Sequence, residues 1–343
     1  MSAKQTLNQY LDSWSGDDAG RGRIAAAILA IAKTGSTLSR SISRQGLDFA
    51  TGSDWQYNDG AETENSLKLL ATDLFESAMR QVPIPTLVSG DANEMLNLPD
   101  DGSLVIAIEP LDGDSSVETN LSPGTLFSIL DTSQGGLLEK PLGSLQQAAG
   151  FLQYGPRTLL VLSCGSGTEI FVLDPITKLY IQTGFQHQIS PGDREFSINT
   201  SNYRYWGHSL RYFVDDCISG ADGPFAVDFD MRWTGSLVAE SYRVLMRGGV
   251  FLAPGDSRSG CNQGQTRLLF EAAPLAMLME QAGGTASDGS ARILDLELSS
   301  LQQTVPLIFG VSNLVETVID YVSGASAGNT HFPLFENRSL LRN

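Results

Sequence analysis

The sequence is short of cysteine, histidine and positive charge, and each shortage excludes a class of protein. Its 343 residues include three cysteines and three histidines, none of them closely spaced. A zinc site or a disulfide framework needs clusters of these residues, so the sequence predicts neither. Lysine and arginine together number 22 against 39 aspartate and glutamate, a formal net charge of −17. Nucleic acids and anionic membrane surfaces bind positive charge, so neither is an expected partner.

Long apolar runs are also missing. No stretch approaches the ~20 apolar residues of a transmembrane helix, and the first residues lack the apolar core of a signal peptide. We therefore expect a cytoplasmic protein without a membrane partner. A hydrophobic content of 41% and a charged content of 18% are ordinary for a globular protein. The length is sufficient for two domains.

Apolar periodicity divides the chain into two groups of alternating helices and strands. Predicted helices cover 24–42, 67–79, 208–218, 236–246 and 274–281. Predicted strands include 103–108 and 267–270. Two such groups predict an α/β protein of layered sandwiches. We place the domain boundary at the Ser-Pro-Gly run beginning at residue 190, giving domains 1–190 and 191–343.

The most informative run is Glu-Pro-Leu-Asp-Gly-Asp-Ser-Ser at residues 109–116, directly after the predicted strand 103–108. A strand that ends in this way brings two carboxylates, a backbone carbonyl and a tight glycine turn to one point. Hard divalent cations such as Mg²⁺ take oxygen ligands of this kind. Backbone N–H groups in such a turn suit a phosphate. The run therefore predicts a site for magnesium and phosphate.

This run resembles the Asp-Pro-Leu-Asp-Gly-Ser-Ser signature of class I fructose-1,6-bisphosphatases, within the lithium-sensitive, Mg²⁺-dependent phosphomonoesterases. The likeness, strongest to proteobacterial forms, continues in order through residues 124–129, 196–199, 231–233, 235–240, 247–251, 267–271, 274–276 and 281–284. It implies a five-layered αβαβα sandwich and hydrolysis of the 1-phosphate of fructose 1,6-bisphosphate. It also implies Mg²⁺ as cofactor and assembly as a homotetramer.

The resemblance assigns the metal site to four residues. Asp112 and Glu271 match metal ligands of the family unchanged. Glu109 stands at a ligand aspartate and carries one more methylene, and Leu111 offers the carbonyl ligand.

The resemblance also assigns catalytic and substrate-binding residues. Glu62 stands where the family has a water-activating aspartate, and Asp91 stands at a glutamate. Asn199 and Arg232 match contacts to the 6-phosphate of the sugar, with Arg232 reaching across from a neighbouring subunit. Ser115 of the acidic run is counted with the substrate contacts.

Three departures from the family pattern change the chemistry. Gly90 stands at a metal-bridging glutamate, and glycine has no side-chain ligand. Lys68 stands at a catalytic aspartate, and lysine is a general base only if its pKa falls by several units. Asp114 stands at a serine that contacts the departing phosphate. A carboxylate ~4 Å from a phosphate charge costs about 4 kcal/mol at an effective dielectric constant near ~20.

These departures predict fructose-1,6-bisphosphatase activity that is weak or lost. In one alternative, Lys68 replaces the charge of a missing Mg²⁺. The remaining carboxylates then hold one ion, giving a sugar-phosphate phosphatase of altered specificity in gluconeogenesis or the Calvin cycle. In the other, Lys68 pairs with Asp112 or Asp114, no metal binds, and the chain is a pseudoenzyme. A homo-oligomer with an interface near Arg232 is expected, and a mixed oligomer with an active paralogue stays open.

Overall fold

Helices and strands alternate in the computed structural model, which describes residues 4–44, 60–90, 95–114, 117–190 and 194–324. The helices are α1 (Leu7–Ser15), α2 (Ala19–Ser43), α3 (Gly60–Met79), α4 (Leu142–Leu145), α5 (His208–Ser219), α6 (Leu237–Arg247), α7 (Ala273–Gln281) and α8 (Ser312–Ser323). Of these described helices, none has the length and apolar character to cross a bilayer.

Fifteen strands form three sheets within the described ranges. The strands are β1 (Thr86–Ser89), β2 (Leu96–Asn97), β3 (Leu104–Asp112), β4 (Gly124–Asp131), β5 (Gln146–Gln153), β6 (Leu159–Ser163), β7 (Thr168–Leu173), β8 (Tyr180–His187), β9 (Glu195–Ile198), β10 (Asp230–Met231), β11 (Val250–Ala253), β12 (Thr266–Arg267), β13 (Thr285–Ser287), β14 (Thr304–Val305) and β15 (Leu307–Gly310). The first sheet has the order β2-β1-β3-β4-β5-β6-β7-β8, and the second β10-β9-β11-β15-β13. Strands β12 and β14 pair separately.

The elements stack in five layers, as the resemblance implies. Helices α1, α2 and α3 cover one face of the first sheet, with a shared apolar core. Helices α4, α6 and α7 lie on its other face, and α7 also contacts the second sheet. Helices α5 and α8 cover the outer face of the second sheet. The predicted α/β fold, a layered αβαβα sandwich, is confirmed.

Strand β3 is buried on both faces, which explains its continuous apolar sequence. It runs parallel to β1 and antiparallel to β4. The predicted strand 103–108 is too short, because pairing with β4 continues through Asp112. The acidic run is therefore anchored in the sheet at its first four residues.

The predicted strand 267–270 is wrong. Only Thr266–Arg267 pairs as a strand, and residues Leu268–Ala272 form a π-helical turn that leads into α7. The four apolar residues of this turn are buried between the sheets. A short buried apolar run gives the same signal for a strand as for a buried helical turn, so periodicity alone does not separate them.

Helix α6 joins the two halves of the sandwich by packing closely on β4. The Ser236 hydroxyl caps α6 and donates to the Ser122 carbonyl at 2.7 Å. A Cβ placed on Gly124 would lie 2.4 Å from the Leu152 carbonyl oxygen and 2.6 Å from a methyl of Val238. A glycine at this position of β4 is therefore required by space.

We expect Gly124→Ala to lower the free energy of unfolding by about 1–3 kcal/mol, because the added methyl overpacks the contact between β4 and α6. Urea unfolding at neutral pH measures the change. Gly22→Ala, in α2, is the matched control, since a Cβ there has nothing within 4 Å. A loss below ~0.5 kcal/mol in Gly124→Ala, within the range of a surface substitution, would contradict the close packing.

Candidate active site

The acidic run leaves the first sheet through a bulge in β3. Glu109 pairs with Leu126 and Asp112 with Gly124, so β3 has one residue more than β4 over this stretch. The Thr125 hydroxyl lies 2.7 Å from the Pro110 carbonyl oxygen, to which it donates, and 2.7 Å from the Tyr154 hydroxyl. This buried pair of hydroxyls holds the bulge against β4 and β5. A bulge re-aims the side chains that follow it.

Gly113 completes the turn with a φ of 73°. This left-handed conformation favours glycine, because a Cβ would be strained there. The turn ends the strand directly after Asp112, so that this carboxylate lies at the C-terminal end of β3.

The Arg267 guanidinium lies between two acidic side chains of the site. Its Nη2 is 2.5 Å from Glu109 Oε2 and 2.8 Å from Glu271 Oε1. The Arg267 backbone N–H also donates to Glu271 Oε2 at 2.7 Å, and its Nη1 donates to the Gly90 carbonyl at 2.9 Å. The π-helical turn makes this possible, because it brings Glu271 back towards the residue that precedes the turn.

These contacts set the charge of Arg267. Burial lowers the pKa of its guanidinium, but the Glu271 and Glu109 carboxylates outweigh burial and raise that pKa above its usual value. Glu109 is only 1% exposed. A buried carboxylate needs a partner of opposite charge, and Arg267 supplies it.

The environment of Asp112 favours the uncharged form of its side chain, whereas that of Arg267 favours the charged form. The pKa of the Asp112 carboxyl is raised to about 7, mainly by burial and also by the nearby Glu271 and Asp114 carboxylates, while the Val238 backbone N–H and Arg267 lower it. Its Oδ2 is buried and has no hydrogen-bond partner among the described residues. A buried carboxylate oxygen that lacks a hydrogen-bond partner and lies close to a second carboxylate is a suitable ligand for a hard cation.

Few of the described residues of the site suit a metal ion. Within the described residues, no group of three or more acidic, histidine or cysteine side chains is arranged to hold a metal ion. Arg267 contacts both Glu109 and Glu271, whereas Asp112 Oδ2 has no hydrogen-bond partner among the described residues. Leu111 turns its side chain into the core beneath α1–α3, so only its backbone is available to the site.

Several predicted residues lie outside what the structure describes. Asp91 and Ser115 fall outside the described ranges, and for Glu62 only the backbone position on α3 is given. Lys68 lies half-buried on the same helix, and Asp114 is half-buried after the bulge. Their predicted roles remain predictions.

The predicted substrate contacts have local partners in the second half of the chain. Asn199 Oδ1 accepts from the Ser201 backbone N–H at 3.2 Å and caps the 3₁₀ turn Thr200–Tyr205. Arg232 lies 3.1 Å from Asp230 and 3.5 Å from Glu195, with its side chain 47% exposed. Both residues have structural contacts here, and their contact with a substrate is untested.

Two features were not predicted from the sequence. The first is the ion pair of Arg267 with Glu271, whose four-residue spacing is that of an ion pair on one helix face. Buried Glu195 forms ion pairs with Arg243 at 2.5 Å and Arg247 at 2.9 Å. The sequence does not show whether a single glutamate is buried, so the ion pairs of Glu195 could not be predicted from it.

The chain matches two family models in succession. The N-terminal domain of fructose-1-6-bisphosphatase matches residues 7–184, and the C-terminal domain matches residues 189–323. A class 1 fructose-1,6-bisphosphatase of Nitrobacter hamburgensis is 41% identical over 345 residues, covering 100% of each chain. One from Rhodopseudomonas palustris strain HaA2 is 41% identical over 343 residues, again covering 100% of each.

Solved structures give the same result for the fold. The crystal structure of Leishmania major fructose-1,6-bisphosphatase in holo form is 26% identical, with a TM-score of 0.82. The match covers 93% of this chain and 99% of that one. The T-state crystal structure of the same enzyme has a TM-score of 0.81.

We expect Asp112→Asn to flatten the pH dependence of stability in metal-free protein. A carboxyl whose folded pKa is raised stabilises the protein while protonated, below pH ~4, and loses this contribution as pH rises towards about 7. The parent should therefore lose roughly 1–3 kcal/mol relative to Asp112→Asn between pH ~5 and ~8.

Urea unfolding in the presence of a chelator, at four pH values across this range, makes the measurement. Asp17→Asn, at an exposed position, is the control and should follow the parent. Equal pH slopes for the parent and Asp112→Asn would contradict the assigned burial of this carboxyl.

Proposed function

Because the chain belongs to the fructose-1,6-bisphosphatase family, we propose that it is a divalent-cation-dependent phosphomonoesterase of sugar bisphosphates with slow turnover of fructose 1,6-bisphosphate. The observation that carries this proposal is the buried, unpartnered Oδ2 of Asp112 beside the Glu271 carboxylate. The family relation supports the hydrolase reaction and its place in carbohydrate metabolism.

Asp112 and Glu271 are the residues that would hold the ion, with the Leu111 carbonyl at the bulge as a further oxygen. Mg²⁺ suits this all-oxygen set. When bound, such an ion polarises a phosphoryl oxygen and makes water a stronger nucleophile at neutral pH. We propose one ion for this site rather than two or three, since the Arg267 guanidinium already contacts both Glu109 and Glu271 and Gly90 offers no side-chain ligand.

The chain's own residues prepare the site in two ways. Arg267 holds Glu271 by its backbone N–H and its guanidinium together, which limits the orientations of that carboxylate. The pKa of Asp112 is raised to about 7, chiefly by burial, so a part of the molecules carries a proton on this carboxyl at neutral pH. A cation must displace this proton, so cation affinity should rise as pH increases through 7.

Catalytic and substrate-binding roles are proposed for the remaining residues. Glu62 and Asp91 would orient and deprotonate the attacking water, and Ser115 would contact the phosphate being removed. Asn199 and Arg232 would bind the second phosphate of the sugar. Arg232 must first leave Glu195 and Asp230, which its exposure on the surface allows.

We also propose a homo-oligomer, a tetramer by family resemblance, with an interface around Arg232. The exposed side chains of Met231 and Trp233 on either side of it support this surface. A mixed oligomer with an active paralogue is the alternative. The division into domains 1–190 and 191–343 is part of the proposal, and the interval between the two family matches supports it.

We expect slow turnover because of the residues at three positions. Gly90 contributes no ligand, Lys68 is cationic at a position proposed for a base, and Asp114 repels the phosphate. A second candidate, a pseudoenzyme, is favoured by the guanidinium between Glu109 and Glu271. If no ion displaces that arrangement, the chain would bind ligands without hydrolysing them.

We expect hydrolysis of fructose 1,6-bisphosphate with Mg²⁺ to be measurable but at least ~10³-fold below a typical enzyme of kcat 1–10³ s⁻¹. Release of inorganic phosphate is the measurement. Residual activity should disappear in Asp112→Asn and Glu271→Gln, which separates it from a contaminating phosphatase. A kcat near ~10 s⁻¹ would contradict slow turnover. Activity unaffected by both substitutions would leave the pseudoenzyme as the better account.

A further inference from the structure

Gly90 follows β1 at the floor of the site, and its backbone does not require glycine. The φ of Gly90 lies outside the left-handed region, unlike that of Gly113. A residue with a Cβ can therefore adopt the same backbone conformation. Another constraint must account for glycine at this position.

The constraint is the Glu109 carboxylate. A Cβ on Gly90 would lie 1.9 Å from Glu109 Oε2, 3.1 Å from Glu109 Cδ and 2.7 Å from Arg267 Nη1. Non-bonded carbon and oxygen atoms do not approach to 1.9 Å. The carboxylate of Glu109 thus fills the volume in which any side chain at position 90 would begin.

The backbone of Gly90 is held on both sides and cannot retreat from this contact. Its N–H donates to the Ile108 carbonyl at 2.8 Å, and its carbonyl accepts from Arg267 Nη1 at 2.9 Å and Gln302 Nε2 at 3.3 Å. The neighbouring residue Ser89 is paired with Ile108 in the parallel ladder of β1 and β3. An added Cβ must therefore move Glu109 rather than the main chain.

The position of Glu109 in turn decides where Arg267 lies. Glu109 Oε2 and Glu271 Oε1 both contact Arg267 Nη2, so the guanidinium is clamped between carboxylates from the two halves of the chain. An aspartate at 109 would withdraw its carboxylate by roughly one C–C bond, ~1.5 Å. It would release the guanidinium on that side and vacate the space beside Gly90.

We propose that Gly90 and Glu109 act as one unit, in which the absent side chain at 90 lets the Glu109 carboxylate clamp Arg267 as the resident cation of this half of the site. A divalent cation then has Asp112 as its ligand, and it gains Glu271 only by displacing the guanidinium from that carboxylate. This inference deepens the proposed function, because it concerns the same site. Its test uses stability and cation binding, so that its outcome is independent of turnover.

A double-mutant cycle on the full-length, metal-free protein tests the unit. Gly90→Ala should lower the melting temperature by at least ~3 °C, more than an ordinary surface substitution. Glu109→Asp should lower the melting temperature of the parent but raise that of Gly90→Ala, because the shorter side chain makes room for the methyl. The sign reversal is the diagnostic result, since independent sites give additive changes.

Gly22→Ala is the control for the cycle. Its Cβ meets nothing within 4 Å, so Glu109→Asp should have the same effect with or without it. If Gly90→Ala does not yield folded protein, the yield of soluble Gly90→Ala/Glu109→Asp is compared with it, and rescue supports the unit. Additive effects at positions 90 and 109, or no rescue, would overturn the proposal.

Titration with Mn²⁺ by calorimetry tests the resident cation. Arg267→Gln frees the Glu109 and Glu271 carboxylates, so Mn²⁺ should bind at least ~10-fold more tightly than to the parent, about 1.4 kcal/mol. Arg292→Gln is the matched control, because Arg292 also bridges two carboxylates, Glu280 and Asp295, on the surface. Unchanged or weaker Mn²⁺ binding by Arg267→Gln would refute the role of the guanidinium.

The two proposals fail in different ways. A sign reversal and tighter Mn²⁺ binding without phosphate release from fructose 1,6-bisphosphate would sustain the Gly90–Glu109 unit and reject the phosphatase. Phosphate release with additive stability effects would do the reverse.

Discussion

The clamp of Arg267 between Glu109 and Glu271 is the interaction on which the site depends. Glu109 belongs to the first sheet, whereas Arg267 precedes, and Glu271 lies within, the π-helical turn that leads into the middle helix layer. The ion pairs therefore connect two layers of the sandwich at the point where the acidic run leaves β3. A buried charge without a partner is strongly destabilising. None of the three side chains can be changed without altering the charge balance of the other two.

The position of a cation follows from that balance. Arg267 contacts Glu109 and Glu271, whereas the Asp112 carboxyl has a raised pKa and, among the described residues, no hydrogen-bond partner for its Oδ2. The departures at positions 90 and 109 then have one explanation instead of two. The resemblance implies a glutamate at 90 and an aspartate at 109, and this chain has glycine and glutamate. A carboxylate is lost at one position, and a longer one from the neighbouring strand takes the vacated space.

Much of the fold was predictable because the spacing of apolar residues along the chain follows the buried face of each helix and strand. Two groups of α/β elements predict layered sandwiches, and the family resemblance implies their five-layered order. The predicted helix at 24–42 corresponds to α2, which Asp18 caps at its N-terminus. The π-helical turn at Leu268–Ala272 was mistaken for a strand. Its apolar residues are buried on several sides, and complete burial removes the period that distinguishes a strand from a helix.

The sequence by itself predicted the α/β layers from its periodicity, and the family resemblance carried by the acidic run and the later motifs implied that Glu109, Asp112 and Glu271 share one site. Tertiary structure alone decided that Arg267 contacts Glu109 and Glu271 but leaves Asp112 Oδ2 without a hydrogen-bond partner among the described residues. Arg267 and Gly90 are 177 residues apart in the chain but joined by a hydrogen bond. Whether a carboxylate accepts a guanidinium or awaits a cation is set by distances of 2–3 Å between such remote residues, and no local pattern contains those distances.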